Sequence, residues 1–122
     1  MTPSAPLNVL VVDDEASIRL VLRASLASAG HAVTEAGDVA AAAEAIRGAQ
    51  RPFDVILLDL SMPGVDGAAF IPFVRRQSPG SRILVVSGLD EGEAADIGAD
   101  GFLGKPFTRA GLLDTIKNLT TR

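Results

Sequence analysis

The stretch Val55-Ile56-Leu57-Leu58-Asp59 constrains this chain more than any other. An unbroken aliphatic run, bounded by Pro52 upstream and Pro63-Gly64 downstream, predicts a short strand buried on both faces, as strands of parallel sheets are. Asp59 then stands where that strand ends. Aspartate is common in turns. Yet the carboxyl end of a central parallel strand is also the edge where open α/β sheets hold their ligands, so its neighbours decide what it means.

A second β-branched run, Leu7 to Val12, breaks abruptly into Asp13-Asp14-Glu15 and predicts strand one, ending in carboxylates. From Ala16 to Ala29 the apolar positions Ile18, Val21, Leu22, Leu26 and Ala29 recur at helical steps until Gly30, with Glu15, Arg19 and Arg23 on another face. His31 to Glu35 alternates and is polar enough for an edge strand, with His31 read as a surface residue. Asp38 can cap a helix running through Gly48. After the central strand, a helix from about Ala68 to Arg76 has to accommodate Pro72, which a helix tolerates in its first turn. Arg82 to Val86 is another buried strand, closed by Ser87-Gly88, and Gly101-Phe102-Leu103 is a short one. Thr108 can cap a last helix with Leu112, Leu113, Ile116 and Leu119 on one face.

Five alternating β/α units with short connections imply one α/β domain over residues 1–122, doubly wound around a parallel sheet, with 1–6 a loose N-terminal segment. No apolar run approaches the roughly 18 residues of a membrane helix, and the N-terminus has no signal core, so a cytoplasmic protein is expected. With no cysteine and one histidine, disulfides, thiolate catalysis and zinc sites of the usual kinds are excluded, and any metal is oxygen-bound. A net charge of −4 without a basic block argues against direct nucleic-acid binding.

In a doubly wound sheet the carboxyl ends of strands one, three, four and five converge, bringing Asp13 and Asp14, Asp59, Ser87 and Lys105 to one edge. Crowded carboxylates need a cation, and hard oxygen donors suit Mg2+. With Mg2+ and Lys105 to neutralise phosphoryl oxygens and Ser87 to hydrogen-bond another, Asp59 is a plausible nucleophile towards phosphorus. Asp59 stands alone on its strand, whereas the Asp13-Asp14 pair is better placed to hold metal. Each residue has a plainer explanation as a cap, a turn or a solvated charge. Together they favour chemistry, because all the polar specialists stand at one edge of almost wholly apolar strands.

The set Val-Val-Asp13-Asp14-Glu15, Leu-Leu-Asp59-Leu-Ser-Met-Pro63-Gly-Val-Asp-Gly67, Val-Val-Ser87-Gly88 and Gly-Phe102-Leu-Gly-Lys105-Pro106-Phe107 resembles the receiver domain of two-component response regulators, over nearly the whole chain. The resemblance implies a flavodoxin-like five-stranded parallel sheet in the order 2-1-3-4-5. It makes Asp59 the phosphoacceptor, Asp14 and Asp59 direct Mg2+ ligands, Asp13 a ligand acting largely through water, and the Ser61 backbone carbonyl a further ligand. Ser87 would fill the Thr/Ser switch position, Phe102 the switch aromatic, and Lys105 would contact phosphate beside a cis peptide bond to Pro106. Ile18 would be partly exposed and dock a histidine kinase or histidine phosphotransfer protein.

Two other classes fit less well. A phosphohydrolase with an aspartyl-phosphate intermediate calls for Asp-x-Asp-x-Thr after strand one, where this chain has Asp13-Asp14-Glu15-Ala16-Ser17. A flavin- or nucleotide-binding domain needs a phosphate-cradling loop there, which these acids would repel. The chain departs from the receiver pattern between Ser87 and Lys105, where the spacing is short by about four residues, one helical turn. A shortened fourth helix, roughly Glu91 to Ile97, is therefore expected. With it go an activated state that stays monomeric and an unidentified downstream protein partner. The opening methionine, the short segment before strand one and the end just past the last helix favour a stand-alone regulator, with a receiver excised from a hybrid histidine kinase or a multidomain regulator as the alternative.

Overall fold

A computed structural model of the protein describes residues 6–60, 67–88 and 97–121. In chain order the described elements are β1 (Asn8–Val12), α1 (Ala16–Ser28), β2 (Ala32–Ala36), α2 (Val39–Gly48), β3 (Val55–Leu58), α3 (Gly67–Gln77), β4 (Arg82–Ser87), β5 (Gly101–Gly104) and α4 (Arg109–Thr120). The strands form one sheet in the order β2-β1-β3-β4-β5, with every pairing parallel. Among these residues no helix is long and apolar enough to cross a membrane.

Alternation along the central strands builds a core on each face. Leu10, Val12, Ile56, Leu58 and Ile83 point towards α2 and α3, where Ala42, Ile46, Phe70, Ile71 and Val74 meet them. Val9, Val11, Val55, Leu57, Leu84 and Val86 point the other way, onto Leu22 and Leu26 of α1 and Leu112 and Ile116 of α4. An unbroken aliphatic run is thus what a strand covered by helices on both sides requires. Truncating Ile56 or Leu57, both fully buried, would cost about 2–5 kcal/mol each.

The expected caps form. Asp38 Oδ1 accepts the Ala41 N–H at 2.7 Å, and Thr108 Oγ1 accepts the Gly111 N–H at 2.9 Å. Gly30, at φ +91°, ends α1 in the left-handed region that glycine adopts without strain. β2 lies at the sheet edge, as its polar alternation predicts.

Three expectations need correction. The buried stripe of α1 is Leu22, Ser25 and Leu26, while Val21 is 51% exposed and Ala29 is also exposed. Three- and four-residue steps define a broad arc, and only the packing partners decide which edge of it is covered. Pro72 is not in the first turn of α3 but inside the helix. It lies on the exposed face, where water can take the bond lost by the carbonyl four residues back, while Phe70, Ile71 and Val74 anchor the helix. His31 is no bare surface residue: it is half-buried, and its Nδ1 accepts the Leu7 N–H at 3.0 Å.

The shortened fourth helix expected over Glu91 to Ile97 lies, Ile97 apart, outside the described residues. Ile97 packs against the α2/α3 core. Beyond it, Asp100 pairs with Arg75 of α3 at 3.0 Å and accepts the Ile83 N–H at 2.7 Å, fixing the entry to β5.

Candidate functional site

Three residues at the carboxyl edge are pinned by main-chain bonds that prolong the parallel ladders. Asp13 donates its N–H to the Ala36 carbonyl at 3.1 Å, Asp59 to Val12 at 3.0 Å, and Lys105 to Ser87 at 3.0 Å. Their side chains are therefore placed by the sheet rather than by loose loops, which is what a preorganised site needs. Asp13, Asp59 and Ser87 are almost wholly buried.

Lys105 brings the strand ends together. Its Nζ lies 3.0 Å from Asp13 Oδ2 and 3.1 Å from Asp59 Oδ2. Burial alone lowers the lysine pKa, but the hydrogen bonds and charges of Asp13 and Asp59 outweigh it and hold the pKa above its ordinary value, so the ammonium is firmly protonated. The Lys105-Pro106 peptide bond is cis.

Asp14 and Glu15 stand exposed beside the buried Asp13 and Asp59. One carboxylate oxygen from each of Asp13, Asp14, Glu15 and Asp59 lies within 4.8 Å of the others. Among the described residues, four carboxylates against the Lys105 ammonium and the Arg19 guanidinium leave a net negative charge, and the donors are all hard oxygens. That set fits Mg2+ and no soft metal. Sequence reasoning gave Glu15 no part in it. The signal lies in the turn, where Asp13 Oδ1 accepts the Glu15 N–H at 2.9 Å and folds the third acid back beside the first.

The remaining residues divide. Ser87 and Phe102 share one face of the sheet, because Val85 pairs with Phe102 and Ser87 with Gly104, and side chains alternate along each strand. Phe102 is half-buried, with its ring against Gly104: a Cβ there would sit 3.6 Å from the ring edge. Ile18 is half-buried at the margin of the α1/α4 core. Ser61 lies outside the described residues. Arg19, which sequence reasoning merely set apart from the apolar face, donates from Nη1 to the Asp13 carbonyl at 2.7 Å.

An open parallel sheet carrying an acid and lysine site at its carboxyl edge defines a class of doubly wound domain with ionic chemistry at strand ends. The model of the response regulator receiver domain matches residues 9–117, and the chain belongs to that family. It is 35% identical over 119 residues to the transcriptional regulatory protein ResD of Bacillus subtilis, covering 93% of this chain and 48% of that protein. The chain thus spans about half the length of the curated relatives it matches. Among solved structures it is similar to the chemotaxis protein CheY4 of Vibrio cholerae, with TM-score 0.84, 35% identity and coverage of 94% of this chain and 99% of that one. It is also similar to the receiver domain of the sensor histidine kinase PA1611 of Pseudomonas aeruginosa, whose structure has a magnesium ion coordinated in the active site cleft. There the TM-score is 0.82, with 27% identity and coverage of 97% and 100%.

Proposed function

We propose that this receiver is the phosphoacceptor of a two-component or phosphorelay pathway, with Asp59 taking a phosphoryl group from a phosphohistidine of a histidine kinase or histidine phosphotransfer protein. The observation that carries this reading is the bridge from Lys105 to both Asp13 and Asp59 beside the acidic cluster. An Asp59 carboxylate oxygen forms the new bond to phosphorus, the P–N bond breaks, and the electron pair leaves with the donor imidazole. Lys105 is close enough to follow the developing charge on a phosphoryl oxygen, and buried Ser87 can donate to another. Asp13, Asp14 and Asp59, with the Ser61 carbonyl, are the proposed Mg2+ ligands, and Glu15 is close enough to act through water. When bound, Mg2+ supplies charge neutralisation at phosphorus. Protein partners rather than nucleic acid are the proposed readers of the phosphorylated state, which fits the net charge of −4.

The test is incubation with Mg2+ and a small acyl phosphate, without any other substrate, followed by intact-mass measurement. A single phosphoryl adduct on the wild type is expected. None should form on Asp59→Asn, and Asp14→Asn should need more Mg2+. Equal labelling of Asp59→Asn would overturn the assignment, and a requirement for an added substrate would favour a phosphohydrolase.

A further inference from the structure

We propose that Arg19 is a positioning residue that fixes the peptide between Asp13 and Asp14 and so sets the affinity of the acidic site for Mg2+. The inference rests on the phosphoacceptor reading above. Asp13 is bonded on every side: its N–H to Ala36, Oδ1 to the Glu15 N–H, Oδ2 to Lys105, and its carbonyl oxygen to Arg19 Nη1 at 2.7 Å. That last bond is the one that orients the peptide leading to Asp14. A charged donor on a carbonyl is among the stronger hydrogen bonds, and this one is partly buried.

The guanidinium is itself held. Its Nε donates to Glu35 Oε1 at 3.3 Å across the sheet edge, while Arg23 takes Glu35 Oε2 at 2.9 Å. Gly37 leaves room for it: a Cβ there would stand 3.3 Å from Arg19 Nη1, closer than ordinary contact. β2 and the turn after it thus fix the guanidinium by which α1 reaches one main-chain oxygen of the acidic turn. A lysine would keep the charge but lose the planar fork that serves Glu35 and the carbonyl at once.

The sign of the effect separates positioning from simple electrostatics. Removing a nearby cation should tighten binding of Mg2+ if charge alone mattered. Removing a support of the ligand-bearing turn should weaken it, by about tenfold or more as for other groups that orient metal ligands.

The chain has neither Trp nor Tyr, so Mg2+ affinity is best measured by calorimetry or amide NMR titration. Arg19→Met is expected to raise the Mg2+ dissociation constant about tenfold, and Arg19→Lys and Gly37→Val by a smaller factor. Arg23→Gln, which loses a Glu35 bridge but not the carbonyl contact, should bind as the wild type does. Thermal melts report any plain loss of stability separately. Unchanged or tighter binding in Arg19→Met would overturn the inference. Should that variant not fold, unchanged affinity in both Arg19→Lys and Gly37→Val would do so. A wild type that binds no Mg2+ would instead remove the phosphoacceptor reading itself.

Discussion

Lys105 Nζ reaches Asp59 Oδ2 at 3.1 Å across the intervening end of β4, joining the last strand of the sheet to the central one. The same ammonium serves Asp13, so one cation bridges two buried carboxylates. Lys105→Met is expected to lower stability by about 1–3 kcal/mol in the absence of Mg2+, because it removes the cation that two buried acids share. Added Mg2+ should restore most of that loss through mass action. Phosphoryl uptake should fall at least about tenfold in Lys105→Met and also in Lys105→Arg, whose planar head does not place charge where an ammonium does. Because the folded pKa lies above 10.5, the stabilisation from Lys105 is complete below that pH and disappears only as pH rises through the folded value. Denaturation curves with and without Mg2+ check the first part, and a pH series the last.

Ser87 and Phe102 lie on one face, with Phe102 packed over Gly104 and only half-buried. Phosphate on Asp59 is expected to draw Ser87 towards it and free space into which the Phe102 ring turns, shifting a pre-existing equilibrium. Phenylalanine has no hydroxyl to leave unpaired on burial. Ring NMR signals of Phe102 should move on adding Mg2+ and a beryllofluoride phosphate mimic, and Ser87→Ala should reduce that movement. Unchanged ring signals in the wild type would rule the switch out.

His31 gives a pH dependence of known sign. Burial holds its pKa below 6.5, with the Asp54 carboxylate partly opposing, and its Nδ1 accepts the Leu7 N–H and so carries no proton. Between the folded pKa and 6.5 the unfolded chain binds more protons, so stability rises with pH there. The contribution is complete above 6.5 and lost as pH falls through the folded value. Urea midpoints should therefore drop between about pH 7.5 and pH 5.5, and His31→Gln should flatten that slope. An equal slope in the variant would assign the effect elsewhere.

The strands, their burial on both faces and two helix caps were legible because they rest on local period and local bonds: Val55–Leu58, Asp38 and Thr108 need no knowledge of distant residues. The strand order, in contrast, came from the resemblance. Asp13, Asp59, Ser87 and Lys105 were legible as a group because polar residues ending apolar strands must share an edge. What escaped depends on tertiary neighbours. The His31 contact to Leu7 spans 24 positions, and the exposure of Val21 is fixed by where β1 and α4 leave α1 uncovered. Arg19 escaped because a backbone carbonyl leaves no mark in a sequence. One trace of it is Gly37, whose missing side chain makes the room.

α1 begins directly after the acidic turn. Ile18 is half-buried, but Leu20 is 65% and Val21 51% exposed, and they are the large apolar side chains most exposed among the described residues. Exposed aliphatics beside a charged crevice suit a helical phosphodonor that must bring its phosphohistidine to Asp59, since apolar contact supplies affinity while the crevice stays open. Ile18 also packs against the α1/α4 core, so Ile18→Asp risks the fold along with docking. Leu20→Asp and Val21→Asp are the cleaner changes, because substitutions at such exposed sites usually move stability by no more than about 0.5 kcal/mol. Each is expected to slow transfer from a phosphohistidine donor at least about tenfold, the loss that removal of a docking anchor brings. Labelling by a small acyl phosphate should be unchanged, since that donor needs no docking surface. Transfer at the wild-type rate in both variants would show that α1 is not the docking face, and an equal slowing with both donors would mean that the damage lies in the site itself.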